Sequence, residues 1–260
     1  MSGNVSNGER LVEKIKTPVF RLRGIGKHWT GAPGFFIEVP DLTIHRGEKV
    51  ALVGYSGCGK STLLDMLAMI LKPTEASCFE FFWEHDENGA SRSVDVMAAW
   101  QTNNLNALSR LRMRHMGYVL QTGGLFPFLS VRDNIGISRK GLGMPTGRTV
   151  EKVAAKLNIE SHLDRLPGQL SVGERQRVAI ARAMAHQPAV VIADEPTASL
   201  DPINAEKIMT LFSRLADDFQ VTLVVATHDW ERVAESGFRQ ITFDLKQPEP
   251  NGAVQVTACT

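Results

Sequence analysis

Cysteine, net charge and long apolar stretches are all scarce in this chain, and each scarcity excludes something. Its three cysteines, Cys58, Cys78 and Cys259, are scattered along 260 residues without CxxC or CxxH spacing, so neither a disulfide framework nor a zinc site is suggested. Basic and acidic residues nearly cancel, 29 against 28, which leaves no long-range field for holding nucleic acid or an anionic membrane. Runs such as Val221 to Ala226, interrupted by Thr222, fall far short of the ~20 residues that a membrane helix needs. The opening MSGNVSNGERLVEKIK lacks the apolar segment of a signal peptide, so the chain is expected to stay in the cytosol with its thiols reduced. Internal repeats, heptads and low-complexity tracts are missing too, which argues against a solenoid or a coiled coil.

What is there is an ordinary globular composition, 43% hydrophobic and 22% charged, suited to one or two domains. Val50 to Val53, Ala189 to Ala193 and Val221 to Ala226 are short, nearly continuous apolar runs, the pattern of parallel strands buried on both faces. Helical stretches lie between them: Ser61 to Leu71 stops before Pro73, and Val178, Ala181 and Met184 recur at helical spacing before Pro188. The alternation argues for an α/β sheet with helices on both faces.

A different region sits between these halves. Phe79, Phe81 and Trp83 alternate with Cys78, Glu80, Phe82 and Glu84, and Asn88-Gly89 is a hairpin turn, so 78 to 96 reads as a β-hairpin. From Met97 to Arg114, and again from Thr149 to Asn158 with Val150, Val153, Ala154 and Leu157 on one stripe, the pattern turns helical. The expected organisation is one unit over 18–246, with 18–96 and 165–246 forming a core and β subdomain, 97–164 an inserted helical subdomain, and 1–17 and 247–260 as tails.

The segment Gly54, Tyr55, Ser56, Gly57, Cys58, Gly59, Lys60, Ser61 and Thr62 fits GxxxxGK followed by Ser or Thr, with a strand before it and a helix after it. Glycines let backbone N–H groups curl around phosphate oxygens, the helix N-terminus adds free donors, and Lys60 can reach the β and γ phosphates while Ser61 offers a hydroxyl to Mg2+. Cys58, inside that loop near a helix N-terminus, is expected to be a reactive thiol that ATP protects. The apolar run ending in Asp194 and Glu195 delivers two carboxylates to the C-terminal end of a strand, where open α/β sheets bind ligands. Asp194 would hold Mg2+ through water, and Glu195 would orient or deprotonate the water that attacks the γ-phosphate.

LSVGERQR (170 to 177), with GYSGCGKST (54 to 62), Gln121 after the strand Gly117 to Leu120, ADEP (193 to 196), Ser199-Leu200-Asp201 and Thr227-His228-Asp229, resembles the nucleotide-binding domain of ABC transporters over about 20 to 245. The resemblance implies a P-loop NTPase, RecA-like α/β core with an antiparallel β subdomain and an inserted helical subdomain, an ATPase that uses ATP and Mg2+. It further implies that Gln121 touches Mg2+ and the attacking water, that Ser171 and Gly173 cap the γ-phosphate held by the opposite chain of a head-to-tail homodimer, and that His228 sits beside the γ-phosphate. Asp201 resembles an acid that contacts the partner's site, and it is equally suited to capping the helix that Pro202 opens. Trp29 is similar in placement to the aromatic that stacks on adenine, with packing against Phe35 and Phe36 as its alternative.

Two features depart from the family pattern. Val172 stands where glycine is common, which restricts the backbone without removing Ser171 or Gly173. The stretch Glu75 to Arg110 is longer and more aromatic than in many relatives. A transport role requires separate transmembrane permease subunits, received near Phe126, Phe128 and Leu129 at the cytoplasmic face of the inner membrane; core packing is the alternative role for those three. Within the family, RHMGYVLQTGGLFPFLSVRDNI most resembles the lipoprotein-releasing and macrolide-exporter type. A soluble ABC ATPase of DNA repair or translation, and a cassette driving a regulatory membrane complex without cargo, are the alternatives.

Overall fold

The computed structural model describes residues 17–29, 35–85, 91–229, 233, 236–246 and 254–259. Ten strands lie in one sheet: β1 (Pro18–His28), β2 (Phe35–His45), β3 (Lys49–Val53), β4 (Cys78–His85), β5 (Ser91–Asp95), β6 (Met116–Val119), β7 (Val190–Asp194), β8 (Thr222–Thr227), β9 (Arg239–Lys246) and β10 (Val254–Cys259). Their order is β5-β4-β1-β2-β10-β9-β3-β8-β7-β6. From β9 to β6 every neighbouring pair is parallel, whereas β1, β2, β4 and β5 pair antiparallel. The strands with continuous apolar sequence, β3, β7 and β8, lie in the parallel part, and alternating strands build the antiparallel wing.

Seven α-helices accompany the sheet among the described residues: α1 (Lys60–Leu67), α2 (Val96–Gln101), α3 (Leu105–His115), α4 (Val131–Gly141), α5 (Gly147–Lys156), α6 (Val172–Met184) and α7 (Pro202–Phe219). Strand alternation sorts the core into two layers. Val190 and Ile192 of β7 pack with Leu63, Leu64 and Leu67 of α1 and with the antiparallel wing. Val191 and Ala193 pack on the other face with Ile180 of α6 and Phe212 of α7.

The expected hairpin is present as β4 and β5, with a register shift between Phe82 and Glu84; its turn, Asn88-Gly89, lies outside the described residues. Helix α1 ends four residues earlier than Leu71, because Met69 takes φ 56° and the N–H groups of Ile70 and Leu71 turn back to the Asp65 carbonyl. The expected helix from Met97 is broken in two at Asn103, φ 52°, and Asn104 then caps α3 by accepting from the Ala107 N–H at 3.3 Å. Within 97–164, β6 enters the sheet edge and separates α2 and α3 from α4 and α5, and 120–130 is irregular chain. The last residues differ from a tail: β10 fits between β2 and β9, with Val256 and Ala258 buried. Its alternation of apolar and polar residues carries that placement, which the Pro and Gly before it obscure.

Glu48, in the turn between β2 and β3, ties the wing to β9. Its carboxylate accepts from Arg239 Nε at 2.6 Å and from the His45 N–H at 2.8 Å, and Arg239 also donates to the Thr43 carbonyl at 2.7 Å. Burial opposes the charge on Glu48, but these bonds outweigh it and hold the carboxyl below its ordinary 4.5. A depressed folded pKa contributes stability that is present above the unfolded value and lost as pH falls through the folded one. Glu48→Gln should therefore lower unfolding free energy by about 2 kcal/mol at pH 7. Urea melts should show that gap closing below about pH 4.5.

Candidate functional site

The strand β3 ends at Val53 and the chain enters α1 through a loop whose Gly57 and Gly59 have φ 81° and 99°. At Gly59 a side chain would be strained by that backbone and would also meet Ile37 Cδ1 at 2.8 Å. No side chain caps α1, so its first N–H groups point open toward the loop, an anion-ready end. Lys60 is 5% exposed and its ammonium donates to the Gly54 and Tyr55 carbonyls at 2.7 and 2.9 Å, folded back over the loop.

Across from it, Asp194 closes β7, with the Ser61 hydroxyl close enough to favour its charge. Burial pushes the Asp194 carboxyl up; the Ser61 hydroxyl and the Lys60 charge pull against it, and the neighbouring Glu195 and Asp65 carboxylates push with it. Ser61 and Asp194 thus set two oxygen donors together where a cation would relieve crowded negative charge. Glu195 has φ 43°, the left-handed region, held by its N–H donating to the Ala226 carbonyl at 2.9 Å. His228, just past β8, brings Nδ1 to 3.5 Å from Glu195 Oε2. Glu195, Thr197, Leu200, Thr227 and His228 line a cavity of about 190 Å3.

Lys60, Ser61, Asp194, Glu195 and His228 are therefore gathered at the C-terminal ends of β3, β7 and β8. Ser171 and Gly173 are placed elsewhere, at the exposed N-terminus of α6. Ser171 caps that helix by accepting from the Glu174 N–H at 3.3 Å, and Glu174 reciprocates by accepting from the Ser171 N–H at 2.7 Å. Val172 beside them is 46% exposed. Asp201 caps α7, accepting from the Asn204 N–H at 3.1 Å, so the capping role foreseen for it is filled. Trp29 follows β1 half-exposed with the Lys27 ammonium 5.0 Å over its ring, while Phe36 stacks instead on His28.

Gln121 follows β6 by two residues and is exposed. Two anchors of its loop escape sequence reading. Arg182 of α6 donates to the Gly123 and Gly124 carbonyls at 2.8 and 2.7 Å. Asn134 of α4, fully buried, donates to the carbonyls of Phe126, Leu129 and Ser130 and accepts the Phe126 N–H at 2.9 Å. This clamp leaves the Phe128 ring 74% exposed, so neither it nor Phe126, at 40%, is core packing. Helical periodicity gives no sign of either anchor, since Arg and Asn are ordinary surface residues by type.

Cys58 departs from its expected reactivity. The thiol is 2% exposed and lies under the loop, where a Cβ on Gly54 would come within 2.6 Å of its Sγ. Reactivity requires access as well as thiolate character.

A glycine-turned loop opening an uncapped helix beside a strand-end carboxylate pair defines a P-loop nucleoside triphosphatase. The chain belongs to the ABC transporter family, which matches residues 37–198, and it is an ATP-binding, ATP-hydrolysing cassette. It is 38% identical over 198 residues to the lipoprotein-releasing system ATP-binding protein LolD of Legionella pneumophila (strain Lens), covering 75% of this chain and 80% of that one. It is 36% identical over 228 residues to the pyoverdine export ATP-binding/permease protein PvdT of Pseudomonas syringae pv. syringae, covering 85% of this chain but 32% of that protein. This chain thus spans about a third of that relative's length. Among solved structures, a dimeric ATP-binding cassette in a post-hydrolysis state bound to ADP and Pi is 30% identical, with TM-score 0.67 over 90% of this chain and 96% of that one. No helix among the described residues is long and apolar enough to cross a membrane.

Iodoacetamide is expected to leave Cys58 unmodified in the folded protein with or without MgATP and to label it only after unfolding. Rapid labelling that MgATP suppresses, seen by mass spectrometry, would contradict this burial. Ser171→Ala should cost about 1 kcal/mol through the lost cap, read as a lower denaturation midpoint.

Proposed function

We propose that this cassette is the energy-supplying subunit of a membrane export or mechanotransmission complex of the lipoprotein-releasing type, working as a head-to-tail homodimer on separate transmembrane permease subunits at the cytoplasmic face of the inner membrane. The observation that carries the reading is the separation of two half-sites. The phosphate loop, Asp194, Glu195 and His228 occupy one strand edge, whereas Ser171, exposed, and Gly173, half-buried, stand at the start of α6. A second copy brought head to tail supplies to each loop the half it lacks. The dimeric post-hydrolysis cassette among the neighbours supports that arrangement, and the names of the relatives support the type of partner.

In this reading Lys60 leaves its loop carbonyls for the β and γ phosphates, and Gly54, Tyr55, Ser56, Gly57, Cys58, Gly59 and Thr62 shape the loop whose N–H groups bind them. Ser61, Asp194 and Gln121 hold Mg2+. Their oxygen chemistry fits that ion, which is held by one or two carboxylates together with substrate phosphates and water. When bound, Mg2+ neutralises charge on the phosphates. Glu195 takes a proton from the attacking water, and His228, within reach of Glu195 Oε2, orients the γ-phosphate. Trp29 receives adenine on its open ring face, and Asp201 addresses the partner's site. The helical region 97–164 is the lever, with Phe126, Phe128 and Leu129 offered to the permease by the Asn134 clamp, and the 18–96 and 165–246 segments are the core it moves against.

Glu195→Gln should bind ATP yet turn it over on the order of a hundredfold more slowly or worse, and should accumulate as a dimer in MgATP. Wild-type turnover by that variant would remove Glu195 from its role. Persistence as a monomer, by light scattering in saturating MgATP, would count against the composite site. Lys60→Ala should lose tight nucleotide binding in calorimetry.

A further inference from the structure

Two polar side chains beside the site have no role in the foregoing. Asp65 lies one turn after Ser61 on α1, four residues on and hence on the same helix face. Tyr118 lies on β6 opposite Ile192 of β7, so by strand alternation it shares the sheet face that carries Ile192 and Asp194, the face covered by α1. The Tyr118 hydroxyl donates to Asp65 Oδ1 at 3.1 Å. Burial, with the Asp65 and Asp194 charges behind it, pushes the Tyr118 phenol well up, so it remains a donor.

This bond joins the helix that presents Ser61 to the strand whose end leads, three residues later, to Gln121. It also decides where a half-buried carboxylate points. Asp65 is near enough to Asp194 to raise its carboxyl, yet its Oδ1 is engaged by Tyr118. With the phenol removed, Asp65 is free to turn toward Ser61 or the cation and compete with Asp194. The geometry points to Tyr118 and Asp65 as a positioning pair that fixes the Ser61–Asp194 cation site from behind and locks it to the strand that leads to Gln121. This inference rests on the reading of Ser61 and Asp194 as Mg2+ contacts.

The test uses the full chain with ADP and Mn2+ as a paramagnetic stand-in for Mg2+. Free and bound Mn2+ are counted by electron paramagnetic resonance, and kcat and KM are measured separately across a Mg2+ series. Tyr118→Phe removes one oxygen and keeps the ring. It should raise the Mn2+ dissociation constant and the half-saturating Mg2+ on the order of tenfold, with the denaturation midpoint of the nucleotide-free protein unchanged. Asp65→Asn should show a comparable loss, and the double variant no more than the larger single one, because the two act as one unit. Wild-type Mn2+ binding by Tyr118→Phe, or strictly additive losses, would overturn the pair. Ser61→Ala separates the two levels: if it too binds Mn2+ like wild type, the cation site itself is misplaced, whereas if it alone loses Mn2+, only the positioning pair fails.

Discussion

The register of three parallel strands is the constraint on which the rest depends. Val53 of β3 lies opposite Thr227 of β8, and Asp194 of β7 lies opposite Ala226 of the same strand. That alignment brings segments far apart in the chain to one edge: the loop after Val53, the carboxylates at 194 and 195, and the histidine at 228. The Glu195 N–H continues the ladder onto the Ala226 carbonyl, which holds a non-glycine residue in left-handed backbone and turns its side chain toward His228. A slip by one residue would move Asp194 to the opposite face and bury Ala193 against α1.

Helix ends divide the labour around that edge. α6 and α7 begin with side-chain caps from Ser171 and Asp201, so their first N–H groups are partly satisfied within the chain. α1 begins at Gly59 without one. An uncapped helix start is costly unless something else accepts from it, and in a phosphate loop that acceptor is the nucleotide. Helix α5 also starts without a side-chain cap, so it is the phosphate loop before α1, and not the missing cap alone, that suits this terminus to a nucleotide. The Ser171 hydroxyl, engaged by its capping box, remains at an exposed corner where the same oxygen can meet a second chain.

The helical region is held to the site by carbonyls rather than by packing alone. Arg182 and Asn134 saturate the backbone of the segment after β6, one from α6 and the other from α4. The buried, fully bonded amide of Asn134 holds that backbone in place beneath the exposed Phe126 and Phe128 rings. The Arg239–Glu48 pair does corresponding work on the other side of the sheet, tying the antiparallel wing to the parallel core.

Much of this was legible in the order of residues. Periods of apolar residues distinguished buried parallel strands from the alternating wing, and the phosphate loop and strand-end carboxylates announced themselves because their chemistry needs local spacing that only a few residue types satisfy. What depended on distant partners was not legible. The strand Val254–Cys259 followed a Pro- and Gly-bearing stretch and gained its identity only from the gap between β2 and β9. Cys58 had the local setting of a reactive thiol, and the packing around Gly54 buried it. The tyrosine at 118 and the aspartate at 65 are separated by 53 positions and carry no pattern between them. Sequence alone determined most of the elements and the phosphate-loop chemistry, since these follow from spacing within a few turns or strands. Only the tertiary structure decided which polar groups share a buried face, because that follows from register and layer packing.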